Sequence, residues 1–284
     1  MKQFVLNITA ITAFLGLLGS PLANAQSEAV KAAREAVIEN LADIKEIDTT
    51  ELSREEKAAK ELELKKTAFA NLLSLSILET DDVLTNLRKL KLEGQNREFI
   101  PLRDGLVAKL VGYEKYFGAL REVLGATEDM GGIRELAGQF EAKRESSYNT
   151  DIKTSIEMLV TFHVEGVLIT AYERLDKLTT AVKRAKGTKG ENLIRANLLR
   201  DAATRLGHAR ATAILARERL VLYTLPLPEI DAAATMIAEE VHAVETLPEP
   251  TIYELAEQSI AEIKEAYNRD FIELTESLNK KSSR

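Results

Sequence analysis

IEMLVTFHVEGVLITAY, residues 156–172, decides the fold. Coiled into a helix, this run is apolar on every side, so it either crosses a bilayer or is enclosed by other helices. Glu157, His163 and Glu165 lie inside it. A carboxylate near a bilayer centre costs roughly 3 kcal/mol, which makes enclosure in a helical bundle the cheaper arrangement. Ile156, Leu159, Val160, Val164, Val167 and Leu168 are therefore expected to be buried on several sides. The helix that carries them should open at Tyr148-Asn149-Thr150 and run to about Lys186.

The segments on either side read as further helices. Towards the N-terminus, Leu102, Leu106, Leu110, Tyr113, Phe117, Leu120 and Leu124 hold helical spacing behind a first-turn Pro101. Ile133, Leu136 and Phe140 form a shorter amphipathic piece. Ser53 with Glu56 makes a capping-box start for a helix carrying Leu62, Phe69, Leu72, Leu73 and Ile77. It is expected to bend near Thr80-Asp81-Asp82 and to stop at Gly94, a residue suited to the left-handed conformation. Val30, Ala33, Val37, Leu41 and Ile44 mark an earlier helix from Ser27 to Ile47.

Towards the C-terminus, residues 193–222 are Ala-rich, with Ala202, Ala203, Ala209, Ala211 and Ala213 permitting close helix approach. Pro226 and Pro228 end that helix. A short helix comes next, from about Asp231 to Val244, and Thr251 with Glu254 opens the last one. Its stripe of Ile252, Leu255, Ser259, Ile263, Tyr267, Leu274 and Leu278 resembles a coiled-coil heptad. Ser259 and a drift towards Phe271 favour an ordinary packed amphipathic helix. No period of 20 to 50 residues repeats. The expected fold is all-α, an elongated bundle of roughly six to eight helices with one long central helix.

Composition agrees. Of 284 residues, 45% are hydrophobic and only 5% aromatic, with no Trp and no Cys, which favours helices over a β-sandwich. The absence of cysteine excludes disulfides, thiol catalysis, thiolate zinc or iron–sulfur sites and cysteine lipidation. A net charge of −7 argues against general nucleic-acid or anionic-membrane affinity.

Lys2, the apolar stretch from Phe4 to Leu18 and Ala23-Asn24-Ala25 before Gln26 read as a secretory signal over residues 1–25. Residues 26–284 form one expected helical domain, with a C-terminal part from about residue 229 able to move on Pro226 to Glu229. A membrane association is expected only if the signal is retained. The expected location is exported, either secreted or in the periplasm and cell envelope.

Tyr148-Asn149, Ile152-Lys153, Phe162 and Ala171-Tyr172-Glu173-Arg174-Leu175-Asp176-Lys177 resemble a stretch of uncharacterised secreted all-helical proteins from small-genome candidate-phyla bacteria. The resemblance extends over about residues 53–220, including Leu90-Lys91-Leu92-Glu93. It implies an exported helical protein and brings no activity, ligand or catalytic residue.

Chemistry-bearing patterns are sparse. A carboxylate-bridged metal site in a bundle needs two Glu-x-x-His motifs. Glu239 and His242 supply one, as a weak metal candidate. His163 and Glu165 lie about 200° apart on a helix and cannot face one substrate; the expectation is a core histidine with Glu157 and Glu165 at the wet edge. Gly187-x-x-Gly190 joins two helices and lacks the strand-to-helix setting of a phosphate loop. Tyr113, Tyr116, Tyr148 and Phe117 could form a carbohydrate platform, though their spacing reads as core.

Charge is distributed unevenly. Residues 177–219 carry eleven Lys and Arg against three carboxylates, and residues 229–284 carry thirteen carboxylates against five bases. The acidic C-terminal helices are expected to pack beside the basic segment. The alternative is an anion-binding patch built from Lys183, Arg184, Lys186, Lys189 and Arg195. The sequence thus points to a non-enzymatic exported scaffold or interaction protein of the envelope, with no cofactor. An envelope protein or anionic envelope polymer is the expected partner. A helical ligand- or metal-binding protein, or an enzyme, is the alternative.

Overall fold

The computed structural model of the chain describes residues 28–46, 53–224 and 250–279, and every regular element among them is helical. Helix α1 is Glu28–Glu46, α2 is Arg54–Lys89 and α3 is Ile100–Ala126. Helix α4 runs without a break over Met130–Arg184, and α5 is Lys189–Leu222. The last stretch comprises α6 (Ile252–Glu265), a π-helical turn (Ala266–Phe271) and α7 (Ile272–Asn279). The fold is an all-α bundle with one long helix, as the spacing of apolar residues indicates. The signal stretch 1–25, Glu239, His242, the 231–244 helix and the Pro226 to Glu229 boundary lie outside the described residues.

Local start signals work as read. Ser53 and Glu56 exchange backbone and side-chain bonds at 3.0 and 3.3 Å, and Thr251 and Glu254 do so at 2.7 and 3.2 Å. A third capping box, Thr188 with Glu191, opens α5. Gly94 takes φ 59°, yet α2 stops earlier, at Lys89, and the glycine begins a 3-10 turn over Gly94–Phe99 instead. Helix α2 passes through Thr80-Asp81-Asp82 unbroken, with the Thr80 hydroxyl donating to the Ser76 carbonyl at 2.6 Å.

The start expected at Tyr148 is also corrected. Residues 144–148 form a π-helical turn inside α4, because nothing there breaks a helix and both Arg144 and Tyr148 are buried. Enclosure of residues 156–172 is partial. Val160, Val164 and Leu168 are buried, and Ile156, Leu159 and Val167 are half-buried, while His163, Gly166 and Ile169 face solvent. By length and composition α4 is the described helix apolar enough to cross a membrane, but its apolar window is mostly buried within the protein.

Two compact units are present. The first comprises residues up to 89 together with 106–152; the second comprises 90–105 together with 153–284. In the first, α1 packs along α2, burying Val30 and Val37. Phe69, Phe117, Phe140 and Tyr148 then form an aromatic chain, with ring centroids 5.7 Å (69–140), 5.3 Å (117–140) and 5.1 Å (117–148) apart. Tilted and edge-on geometries suit the ring quadrupoles.

In the second unit, α5 lies close along α6, and the small side chains of Ala202, Ala209, Ala213 and Ala256 are buried there. Ser259 donates to the Ala209 carbonyl at 2.8 Å, a side chain reaching the neighbouring backbone directly. Ala203 and Ala211, expected at the same contact, face outward. The fully buried Ala209 leaves no room for a larger side chain at this crossing. Ala209→Leu should therefore lower the unfolding free energy by about 1–3 kcal/mol, read as a shift of the urea midpoint at constant slope; an unchanged midpoint would show that the helices are not in close contact.

Candidate functional site

The polar interior of the first unit is the strongest concentration of chemistry-bearing side chains. On α2, Ser76, Glu79 and Thr80 continue the buried stripe begun by Phe69, Leu72 and Leu73, and all three are buried. Arg144, first residue of the π turn, meets them from α4. Its Nη1 donates to Ser76 Oγ at 3.2 Å and its Nε to Asn149 Oδ1 at 3.4 Å. The guanidinium also lies 5.5 Å from the Phe140 ring centroid and 5.1 Å from that of Tyr148, close enough for cation–π attraction.

Glu79 supplies the balancing charge. Arg34 on α1 approaches its Oε1 at 3.8 Å. Burial pushes the Glu79 carboxyl above its ordinary range, and the Arg144 and Arg34 guanidiniums pull it back. Tyr148 OH sits 3.2 Å from Thr80 Oγ1, and burial raises its phenol as well. Beside it, Tyr113 donates to Asp151 Oδ2 at 2.6 Å and Lys109 to Oδ1 at 2.7 Å. Burial, with the Asp151 hydrogen bond, pushes Tyr113 up to about 12.

Raised carboxyl and phenol values are what acid–base sites use, but reach is the first requirement. A groove of about 300 Å³ opens in the same unit, lined by Tyr116, Leu120, Val123, Thr127, Gly132 and Leu136 among others, and none of the buried charges lines it. Arg144, Tyr148 and Asp151, all on α4, turn instead to partners on other helices, Ser76 and Thr80 on α2 for the first two and Lys109 and Tyr113 on α3 for Asp151. Tyr113, Phe117 and Tyr148 are core rings, not a carbohydrate platform.

The second unit repeats the arrangement. Asp270, in the π turn Ala266–Phe271, is buried and pairs with Arg205 at 3.2 Å; Glu262 and Glu265 flank the same guanidinium at 3.9 and 3.8 Å. Burial raises the Asp270 carboxyl and Arg205 opposes it. Arg217 bonds Glu98 at 2.9 Å and Gln95 O at 3.2 Å, approaches Glu165 at 3.6 Å and covers the Phe99 ring at 5.5 Å. The described part of the acidic C-terminal stretch, α6, the π turn and α7, thus packs on the basic α5.

The sequence-derived candidates land differently. Lys183, Arg184, Lys186 and Lys189 are exposed around the turn between α4 and α5. Arg195 is not part of a surface patch: it is 1% exposed and donates to Ser277 Oγ at 2.9 Å and to its carbonyl at 2.7 Å. His163, expected in the core, faces solvent, and Glu157, expected at the wet edge, is buried. Tyr223 reaches Glu157 Oε2 at 3.0 Å; burial raises that carboxyl, and Tyr223 is itself pushed up to about 12. Among the described residues no group of three or more His, Asp or Glu could hold a metal ion.

No family model, curated protein or solved structure matches the chain. The buried charges were missed because Ser76, Glu79 and Arg144 look like polar interruptions until their spacing is traced. Phe140, Arg144 and Tyr148 recur every four residues, and Ser76 and Thr80 succeed Leu72 at the same step, a signal readable from periodicity alone.

Arg144→Met leaves buried Glu79 facing only Arg34, 3.8 Å away, and should cost about 3 kcal/mol of unfolding free energy, against less than about 0.5 kcal/mol for the exposed Arg134→Met. Equal losses would mean that Arg144 is not a buried partner. The pH dependence has a definite sign. With a folded value raised above 4.5, the stability Glu79 contributes is fully present below pH 4.5 and is lost as pH rises through the raised value. Glu79→Gln should flatten the decline of unfolding free energy above pH 4.5, and an unaltered slope would count against a raised carboxyl.

Proposed function

We propose that this chain is a non-enzymatic exported scaffold or interaction protein of the cell envelope. The observation that carries the reading is that its buried carboxylates are engaged as joints between helices. Glu79 faces Arg34 and Arg144, Asp151 holds Lys109 and Tyr113, Glu157 accepts from Tyr223, and Asp270 meets Arg205. A side chain committed to a partner on a neighbouring segment fixes how the helices meet and is not presented to a substrate. Export rests on residues 1–25, with Lys2, the apolar stretch and Ala23-Asn24-Ala25 before Gln26. Lys183, Arg184, Lys186 and Lys189, exposed around the turn between α4 and α5, favour an anionic envelope polymer as a partner.

Expression of the full chain in a secreting bacterium tests this reading. The recovered protein should begin at Gln26 by intact mass and should carry no stoichiometric metal or small molecule by native mass spectrometry. Its retention on an anionic cell-wall polymer should weaken with salt and with Lys183→Glu plus Lys189→Glu. Stoichiometric metal that disappears in His242→Ala would overturn the scaffold reading in favour of a metal-binding protein, and an intact N-terminus on cytoplasmic protein would overturn export.

A further inference from the structure

We propose that the outer face of α5 is a self-docking surface on which two copies of this chain pair antiparallel, about a two-fold axis at Thr204. The inference does not depend on where the protein resides. At 100° per residue, Leu193, Asn197, Arg200, Thr204, Gly207, Ala211 and Leu215 fall within about 40° of one line along the helix. Arg195, Ala202, Leu206, Ala209, Ala213 and Leu220 form the opposite face and are buried. Every residue of the outer line is exposed, Leu193 by 61% and Leu215 by 49%. Exposed leucines at both ends of a helix whose other face is already packed leave apolar area that a second copy would bury.

An isologous pair brings together residues equidistant from the axis. Leu193 and Leu215 lie equally far on either side of Thr204, as do Asn197 and Ala211. Each leucine therefore meets the other leucine of the second copy. Charged and hydrogen-bonding side chains match in the same register. Lys189 falls within one residue of the position opposite Glu218, and Asp201 within one residue of that opposite His208. A two-fold axis perpendicular to both helices keeps each flank on its own side, so the members of a contacting pair must share a flank. Lys189 and Glu218 lie about 20° apart around the helix, on one flank, and Asp201 and His208 lie about 20° apart on the other. Arg200 falls within one residue of the position opposite Gly207, where a long side chain finds room.

The centre of the line is narrow. Thr204, Gly207 and Ala211 let a second helix approach towards the short end of the usual 8–10 Å range. Gly207 costs about 1 kcal/mol in a helix interior relative to alanine, and nothing in the described chain lies within 4 Å of where its Cβ would stand. Its small size answers no contact with the described residues and leaves room for a second helix. From Lys189 to Glu218 the contact would run about 44 Å at 1.5 Å per residue.

Because the chain has no cysteine, crosslinking can read the register directly. Thr204→Cys in the purified full-length protein should oxidise to a disulfide-linked dimer, since the two positions meet on the axis. Leu215→Cys alone should not, but mixed with Leu193→Cys it should give the heterodimer. Sedimentation equilibrium should show a dimer for the unaltered protein, and Leu193→Glu with Leu215→Glu should weaken association at least ~10-fold while circular dichroism stays helical. A monomer at about 100 µM, crosslinking of Leu215→Cys as readily as Thr204→Cys, or a dimer indifferent to the two glutamates would each overturn the proposal. Capture of a different protein on this face by the monomer would be the same contradiction.

Discussion

Arg144 cannot leave water without an opposite charge and rings to replace its hydration, and the interior of the first unit is arranged around meeting that demand. Ser76 and Asn149 take two of its donors, Glu79 balances its charge, and Phe140 and Tyr148 flank its plane. The consequences spread along three helices. Tyr148 is held by Arg144 and Thr80, and its ring in turn sits against Tyr113 and Phe117, 5.3 and 5.1 Å away. Arg34 extends the same cluster to α1. A buried charge of this kind adds little stability over an apolar core, but it punishes any arrangement that leaves a partner behind.

The π-helical turns serve the same demand for partners. Both carry a buried charged residue, Arg144 in one and Asp270 in the other. A π turn inserts an additional residue, which rotates the downstream half of a helix relative to the upstream half. That rotation explains the last stretch, where burial passes from Ile263 to Ala266, then to Asp270 and Phe271, then to Leu274. Heptad spacing drifts towards Phe271 for this reason.

Much of the architecture was legible because helix signals are local. Capping boxes at Ser53 and Thr251, the first-turn Pro101 and the stripe from Leu106 to Leu124 need no tertiary information to read. What failed needed a partner to interpret. Ala-rich spacing indicated close approach, but only the position of α6 determines that Ala202 and Ala209 lie inward while Ala203 and Ala211 lie outward. Glu157 seemed too polar for the core until Tyr223, distant in sequence, supplied a donor. Tyr148-Asn149-Thr150 resembled a start because no residue pattern announces a π turn. Arg195 was grouped with surface lysines because net charge says nothing about burial.

The most direct measurement is a double-mutant cycle between Glu79 and Arg144, with urea unfolding of the parent, Glu79→Gln, Arg144→Met and the paired variant. If the two side chains form one buried joint, the paired loss should be smaller than the sum of the single losses by at least ~1 kcal/mol, because the second substitution removes a partner already stranded. Additive losses, with coupling below ~0.3 kcal/mol, would contradict the joint and leave Arg144 and Glu79 as independent buried groups.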